Sequence, residues 1–197
     1  MKINSIKRCS VVGCVMVLAT VLTGCATSPA DVQPQYARLI ENDGRVEFVE
    51  NRISDQREQV LARAATSFGL SPQCTHIKTG LQGSRRAITV EDCVYELYSE
   101  ELAYAGTPIE KVTYRFVDER LFQMQFAFKR EIGGAPVHRI GESVSDDLQL
   151  SRAVGESDSQ RWLGKSDVVE VLQDPVVGTM ALQISDAKLL ERVIAQR

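Results

Sequence analysis

The chain has 197 residues, 44% of them hydrophobic, with 23 Lys and Arg set against 26 Asp and Glu. That length suits one domain with a sizeable core. The mildly acidic balance gives no electrostatic reason to bind nucleic acid, whose affinity comes mainly from basic side chains on phosphates.

The first residues differ from the rest. Lys2, Lys7 and Arg8 form a basic start, and no acidic residue appears before Asp31. Val11 to Leu22 is almost wholly apolar. A basic region, a short apolar region and then small residues is the layout of a secretory signal. A permanent span needs ~20 apolar residues, more than this run supplies. The run ends in Leu22-Thr23-Gly24-Cys25. These four residues resemble the lipobox of bacterial lipoproteins: an aliphatic residue, a small residue, Gly, then the Cys that is acylated. The competing reading is an ordinary cleaved signal with Cys25 as an incidental thiol.

The resemblance implies a signal peptide over 1–24 and lipidation of Cys25, whose sulfur takes diacylglycerol as a thioether. In that family the new amino terminus is acylated as well, and two or more chains anchor stably where one does not. The protein would then meet the membrane through the lipid on Cys25. Ala26 stands where Asp would mark retention in the inner membrane, so the resemblance points to the periplasmic face of the outer membrane. Removing Lys2, Lys7 and Arg8 leaves 20 basic against 26 acidic residues, a charge of about −6 for the expected mature chain. Residues 25–34 read as a lipidated tether, with the stretch from Ala26 to Pro34 reaching at most ~30 Å, and 35–197 as a single periplasmic domain.

Within that domain, Gln35 to Asn42 suggests a short helix with Tyr36, Leu39 and Ile40 on one side, broken by Asp43-Gly44. Val49, Ile53, Val60, Leu61, Ala64 and Phe68 recur at helical spacing and predict one helix across that span. Gly69, Leu70 and Pro72 supply its stop signals. Cys74 to Lys78 suggests a short strand. Ile88 to Tyr98 fits either period, because Thr89 and Asp92 could form a capping box while Cys93, Tyr95 and Leu97 alternate as a strand does. A strand is preferred because the next segment needs a neighbour. Val112, Tyr114 and Phe116, then Phe122, Met124, Phe126 and Phe128, alternate around Asp118-Glu119-Arg120, a hairpin that is marginal alone in water.

Ser145-Asp146-Asp147 reads as a helix start, with Leu148, Leu150 and Val154 inside. Trp162 and Val168 to Leu172 read as strand, with Met180, Leu182 and Ile184 as its partner. Ser185 is placed to cap a last helix whose apolar face is Leu189, Leu190, Val193 and Ile194. The fold expected is α+β: an antiparallel sheet of about five strands with helices packed on one face.

The resemblance implies that Cys9 and Cys14 leave with the signal and that Cys25 is lipidated, which leaves Cys74 and Cys93 as the remaining thiols. In an oxidising envelope they read as a disulfide, against the alternative of two buried reduced cysteines. His76 and His138 are the only histidines, and neither has a second His or Cys at i+2 to i+4, so no metal site and no cofactor are expected. Gly164-Lys165-Ser166 lacks the upstream Gly of a phosphate loop. No nucleophile elbow is present, and the adjacent acids look like turn and cap chemistry, so no catalytic residue is assigned. The hairpin aromatics read first as sheet core. The sharper alternative makes Phe122, Phe126, Phe128 and Trp162 a partner face.

Together these readings describe a non-enzymatic, membrane-anchored envelope lipoprotein that binds another envelope protein or supports envelope assembly. A carrier or sensor of a lipid or small apolar ligand is the alternative, and an enzyme on envelope polymers comes third.

Overall fold

The computed structural model describes residues 35–79, 88–98, 102–129, 136–149, 159–173 and 179–194. They belong to one compact unit, Gln33–Arg197. The expected export segment, Cys25 and the expected tether up to residue 34 lie outside the described residues, as does the turn expected around Asp174-Pro175.

In chain order the strands and helices are β1 (Gln35–Ala37), β2 (Leu39–Asn42), β3 (Arg45–Phe48), β4 (Asn51–Arg52), α1 (Arg57–Phe68), β5 (Gln73–Thr79), β6 (Ile88–Glu96), β7 (Leu102–Tyr104), β8 (Thr107–Val117), β9 (Arg120–Phe128), α2 (Pro136–Leu148), β10 (Ser159–Leu163), β11 (Asp167–Gln173), β12 (Met180–Asp186) and α3 (Ala187–Ile194).

The expected sheet of about five strands is a nine-stranded one. Seven strands run antiparallel in the order β5-β6-β8-β9-β12-β11-β10. At its start β8 also pairs with β7, and β1 lies parallel to β7. Strands β2, β3 and β4 make a second, three-stranded sheet. A sheet this wide leaves few helices, and the fold is mixed but dominated by antiparallel sheet.

Two-residue turns explain much of this. Asp43-Gly44, Val49-Glu50, Ala105-Gly106 and Asp118-Glu119 each hold both residues at positive φ. That geometry matches the twist of paired strands and closes tight hairpins. Gly44 and Gly106 adopt it freely, whereas Val49 is β-branched and strained there. Two expectations fail at these turns. Gln35 to Asn42 is two strands and not a helix, because β2 pairs back onto β3 through Asp43-Gly44. The long helix expected from Val49 begins only at Arg57. Val49 and Ile53 share its period but reach the core from the turns flanking β4. The far end of α1 is as expected: Gly69 lies at φ 63° and its N–H donates to the Ala65 carbonyl at 3.0 Å.

Ser145-Asp146-Asp147 closes a helix instead of opening one. Pro136 stands at the first position of α2, where its missing N–H costs nothing. Ile140, Val144 and Leu148 follow four residues apart and are buried. At α3 the cap is Asp186, whose Oδ1 accepts the Leu189 N–H at 2.9 Å. Ser185 remains in β12 and accepts from Gln123 Nε2 at 2.9 Å.

The main core lies between one face of the large sheet and a cover made of α1, α2 and the small sheet. The helices are not all on that face. Val90, Val117 and Phe122 form a smaller cluster on the opposite one, with Leu189 of α3 against it. Phe122 reaches that side through a register irregularity. Arg115 pairs with Gln123, but Phe116 pairs with Leu121, so Phe122 is an extra residue in β9. The bulge reverses the alternation, sending Leu121 into the main core and Phe122 away from it.

Candidate functional site

Four polar clusters stand out, each built where two elements are forced together.

The first lies on β5 and β6. Cys74 pairs directly with Cys93, and their sulfurs are 2.06 Å apart, a disulfide. Two residues along, His76 pairs with Glu91. Side chains repeat every second residue on a strand, so all four share one face. Arg57, in the first turn of α1, donates to Glu91 through Nε at 2.5 Å and a terminal nitrogen at 2.8 Å. That bonding holds the Glu91 carboxyl below the usual range against the opposing effect of its burial. His76 Nε2 is 3.9 Å from Glu91 Oε1, and His76 is well exposed.

The second joins the two sheets. The Arg45 guanidinium on β3 donates to Asp167 at 2.6 Å and to Asp186 at 2.8 Å. The Val46 N–H adds a bond to the other Asp167 oxygen at 2.7 Å. Burial pushes the Asp167 carboxyl up, while the Val46 N–H and Arg45 pull it down. Every oxygen of this group has a structural partner, because Asp186 also caps α3.

The third lies under α1. Buried Asn51 donates to the Tyr114 hydroxyl and the Val49 carbonyl, both at 3.0 Å, and accepts from Arg63 Nε at 3.0 Å. Arg63 also bonds Asp55. Close by, the Tyr95 hydroxyl is buried without a hydrogen-bond partner. Burial pushes its pKa up to about 12.

The fourth is a groove of about 420 Å³ between α2 and β10, lined by His138, Gly141, Glu142, Ser145, Asp146 and Gln160. Helix and strand approach closely because position 141 is glycine: a Cβ there would stand 1.8 Å from Gln160 Oε1. Trp162 on β10 donates from Nε1 to Ser145 Oγ at 2.9 Å, fixing the base of the groove. His138 Nδ1 is 3.2 Å from Glu142 Oε2 at its exposed rim. The groove is therefore rich in acceptors and adjoins an outer strand. Among the described residues β10 pairs only with β11, so no described strand takes up the backbone groups of its other edge. Leu163 at its end is 56% exposed.

No protein-family model, curated protein or solved structure matches this chain. The reading of function therefore rests on geometry and on the sequence.

The proposed partner face is not open. Phe126, Phe128 and Trp162 are fully buried and Phe122 is 3% exposed. Phe126 stacks edge-on against Phe48 with ring centroids 4.3 Å apart, and Phe122 lies in the second cluster. These residues are core, the first reading of the alternation, and the partner-face alternative does not hold for them. Cys74 and Cys93 are together as expected. The two histidines are apart, His76 on β5 and His138 on α2. The pairing of His76 with Glu91 was missed, although the disulfide implied it. Once Cys74 faces Cys93 in an antiparallel pair, His76 must face Glu91. Arg45, Asp167 and Asp186 carried no comparable signal, since 122 residues separate Arg45 from Asp167.

Proposed function

We propose that this is a lipid-anchored envelope protein without enzymatic activity, whose domain binds another envelope protein at the β10 edge. The side of β10 that no described strand pairs, beside the α2 groove, carries this reading. An extended segment of a partner can add to such an edge, main-chain bonds supplying affinity and neighbouring side chains supplying selectivity. Leu163 offers an exposed apolar contact on one face of the strand, and Glu142, Asp146 and His138 offer polar ones beside its other face, which carries Gln160 and Trp162. The Leu22-Thr23-Gly24-Cys25 pattern supports an anchor on Cys25, and Ala26 supports the outer membrane. No described helix is long and apolar enough to cross a membrane.

A photoreactive amino acid at Leu163, in intact cells, tests this. The expected outcome is a discrete crosslinked protein, identified by mass spectrometry. The same probe at Tyr98, which is 92% exposed and lies outside β10, serves as the control. Crosslinking at Leu163 no stronger than at Tyr98 would sink the reading.

A further inference from the structure

Outside the proposed docking edge, β5 and β6 bring four metal-ligating side chains onto one face of one strand pair. One ligand atom each from Cys74, Glu91 and Cys93 lies within 4.8 Å of the others. His76 is paired across from Glu91, with Nε2 at 3.9 Å from Oε1. Around a tetrahedral zinc, bond lengths of ~2.0–2.3 Å place ligand atoms ~3.3–3.8 Å apart, within reach of these side chains by rotamer change. We infer that Cys74, His76, Glu91 and Cys93 form a redox-gated site that holds a soft divalent ion such as zinc when the disulfide is reduced.

Three features support a built site. The donor set is two sulfurs, one imidazole and one carboxylate, which suits zinc or cobalt and not magnesium or calcium. Arg57 fixes Glu91 from the outside with two bonds, the kind of support that outer partners give ligating carboxylates. Each carboxylate oxygen retains a second lone pair, so Oε1 can still face His76 and an ion. Charge also balances: two thiolates, one carboxylate, one guanidinium and a divalent ion together are neutral. In the oxidised form the sulfurs are bonded to each other and the site is closed.

The redox step uses a dithiol reductant. Its first thiolate attacks the sulfur of Cys74, which belongs to an exposed residue, while Cys93 is fully buried. A mixed disulfide forms and Cys93 leaves as thiolate. The second thiol of the reductant, as thiolate, resolves the mixed disulfide, releasing Cys74 and leaving the reductant oxidised. An ion then displaces any thiol protons to solvent.

The test uses the full chain in detergent with Cys9→Ser, Cys14→Ser and Cys25→Ser, so that only Cys74 and Cys93 remain. Cobalt(II) is the probe. The reduced protein should bind one equivalent with sulfur-to-cobalt charge-transfer bands and tetrahedral d–d bands. The oxidised protein should show neither. His76→Ala, at an exposed position, and Glu91→Gln should each weaken binding by at least the ~10-fold that losing an outer partner of a ligand costs, with Trp162 fluorescence reporting that the domain stays folded. Absence of the charge-transfer bands after reduction would overturn the inference. So would binding unchanged in both variants, which would mark two thiols acting alone. So would unfolding on reduction that cobalt does not reverse.

Discussion

The guanidinium of Arg45 donates to Asp167 at 2.6 Å across 122 residues of chain. This bond ties the three-stranded sheet to the far side of the nine-stranded one. Its energetics are asymmetric: a buried pair adds little over an apolar isostere, but removing one partner strands the other charge. Arg45→Ala should therefore cost about 3–5 kcal/mol, because Asp167 is fully buried. Urea denaturation would measure it. A loss under about 1 kcal/mol would mean that water or another cation takes over the site.

Phe126 gives a test of the core. It is fully buried and stacks on Phe48 from the small sheet. Phe126→Ala should destabilise by about 3–5 kcal/mol, a large part of the ~5–15 kcal/mol that a domain has. Phe122→Ala should cost less, because Phe122 meets only the smaller cluster beyond the bulge. Equal losses in denaturation midpoint would contradict the division of the two faces.

The sequence carried the local periods but not the partners. The hairpin of β8 and β9 was legible because alternation is a property of neighbouring residues. The bulge at Phe122 was not, since it depends on which residue of β8 each residue of β9 meets. Positive-φ turns at Val49-Glu50 and Ala105-Gly106 also escaped notice, and with them β3, β4 and β7. Valine rarely adopts such a turn, so tertiary pairing overrode the local preference there. Of the candidate site, the cysteine pair could be read by elimination. The α2 groove could not, because it needs Gly141 to meet Gln160 on a strand far along the chain.

Acid should expose the Arg57–Glu91 pair. The Glu91 carboxyl is lowered in the folded chain, chiefly by its bonds to Arg57. Its contribution to stability is thus present above the ordinary value of 4.5 and lost as pH falls through the folded one. Asp167 has the opposite sign. Burial raises it above its ordinary 3.8, so its contribution is full below that value and declines as pH rises toward the folded one. Urea midpoints across the acid range should fall with decreasing pH more steeply in the wild type than in Glu91→Gln. Parallel curves would show that the pair contributes nothing to the acid limb.

The Cys74–Cys93 link closes a loop with a sequence separation of 19. In the chain-entropy view that is worth about 3 kcal/mol. The double variant Cys74→Ser/Cys93→Ser should lose roughly that amount, and alkylation of the unfolded, unreduced protein should modify neither residue. Two reactive thiols per chain would show that the bond is not formed in the native protein.

The proposed lipidation turns on a single atom. A thiol at position 25 can form the thioether, and an alcohol cannot, so Cys25→Ser should abolish incorporation of a fatty-acid analogue. The unmodified chain should keep the apolar run Val11 to Leu22, since processing in lipoproteins follows acylation of the cysteine. It should therefore migrate as a larger species on a gel while still fractionating with membranes. The two readouts separate the competing readings of the N-terminus. An ordinary cleaved signal would give the same mature size in both proteins and no label in either. Equal labelling of wild type and variant would remove Cys25 as the anchor, and with it the basis for placing this domain at a membrane surface.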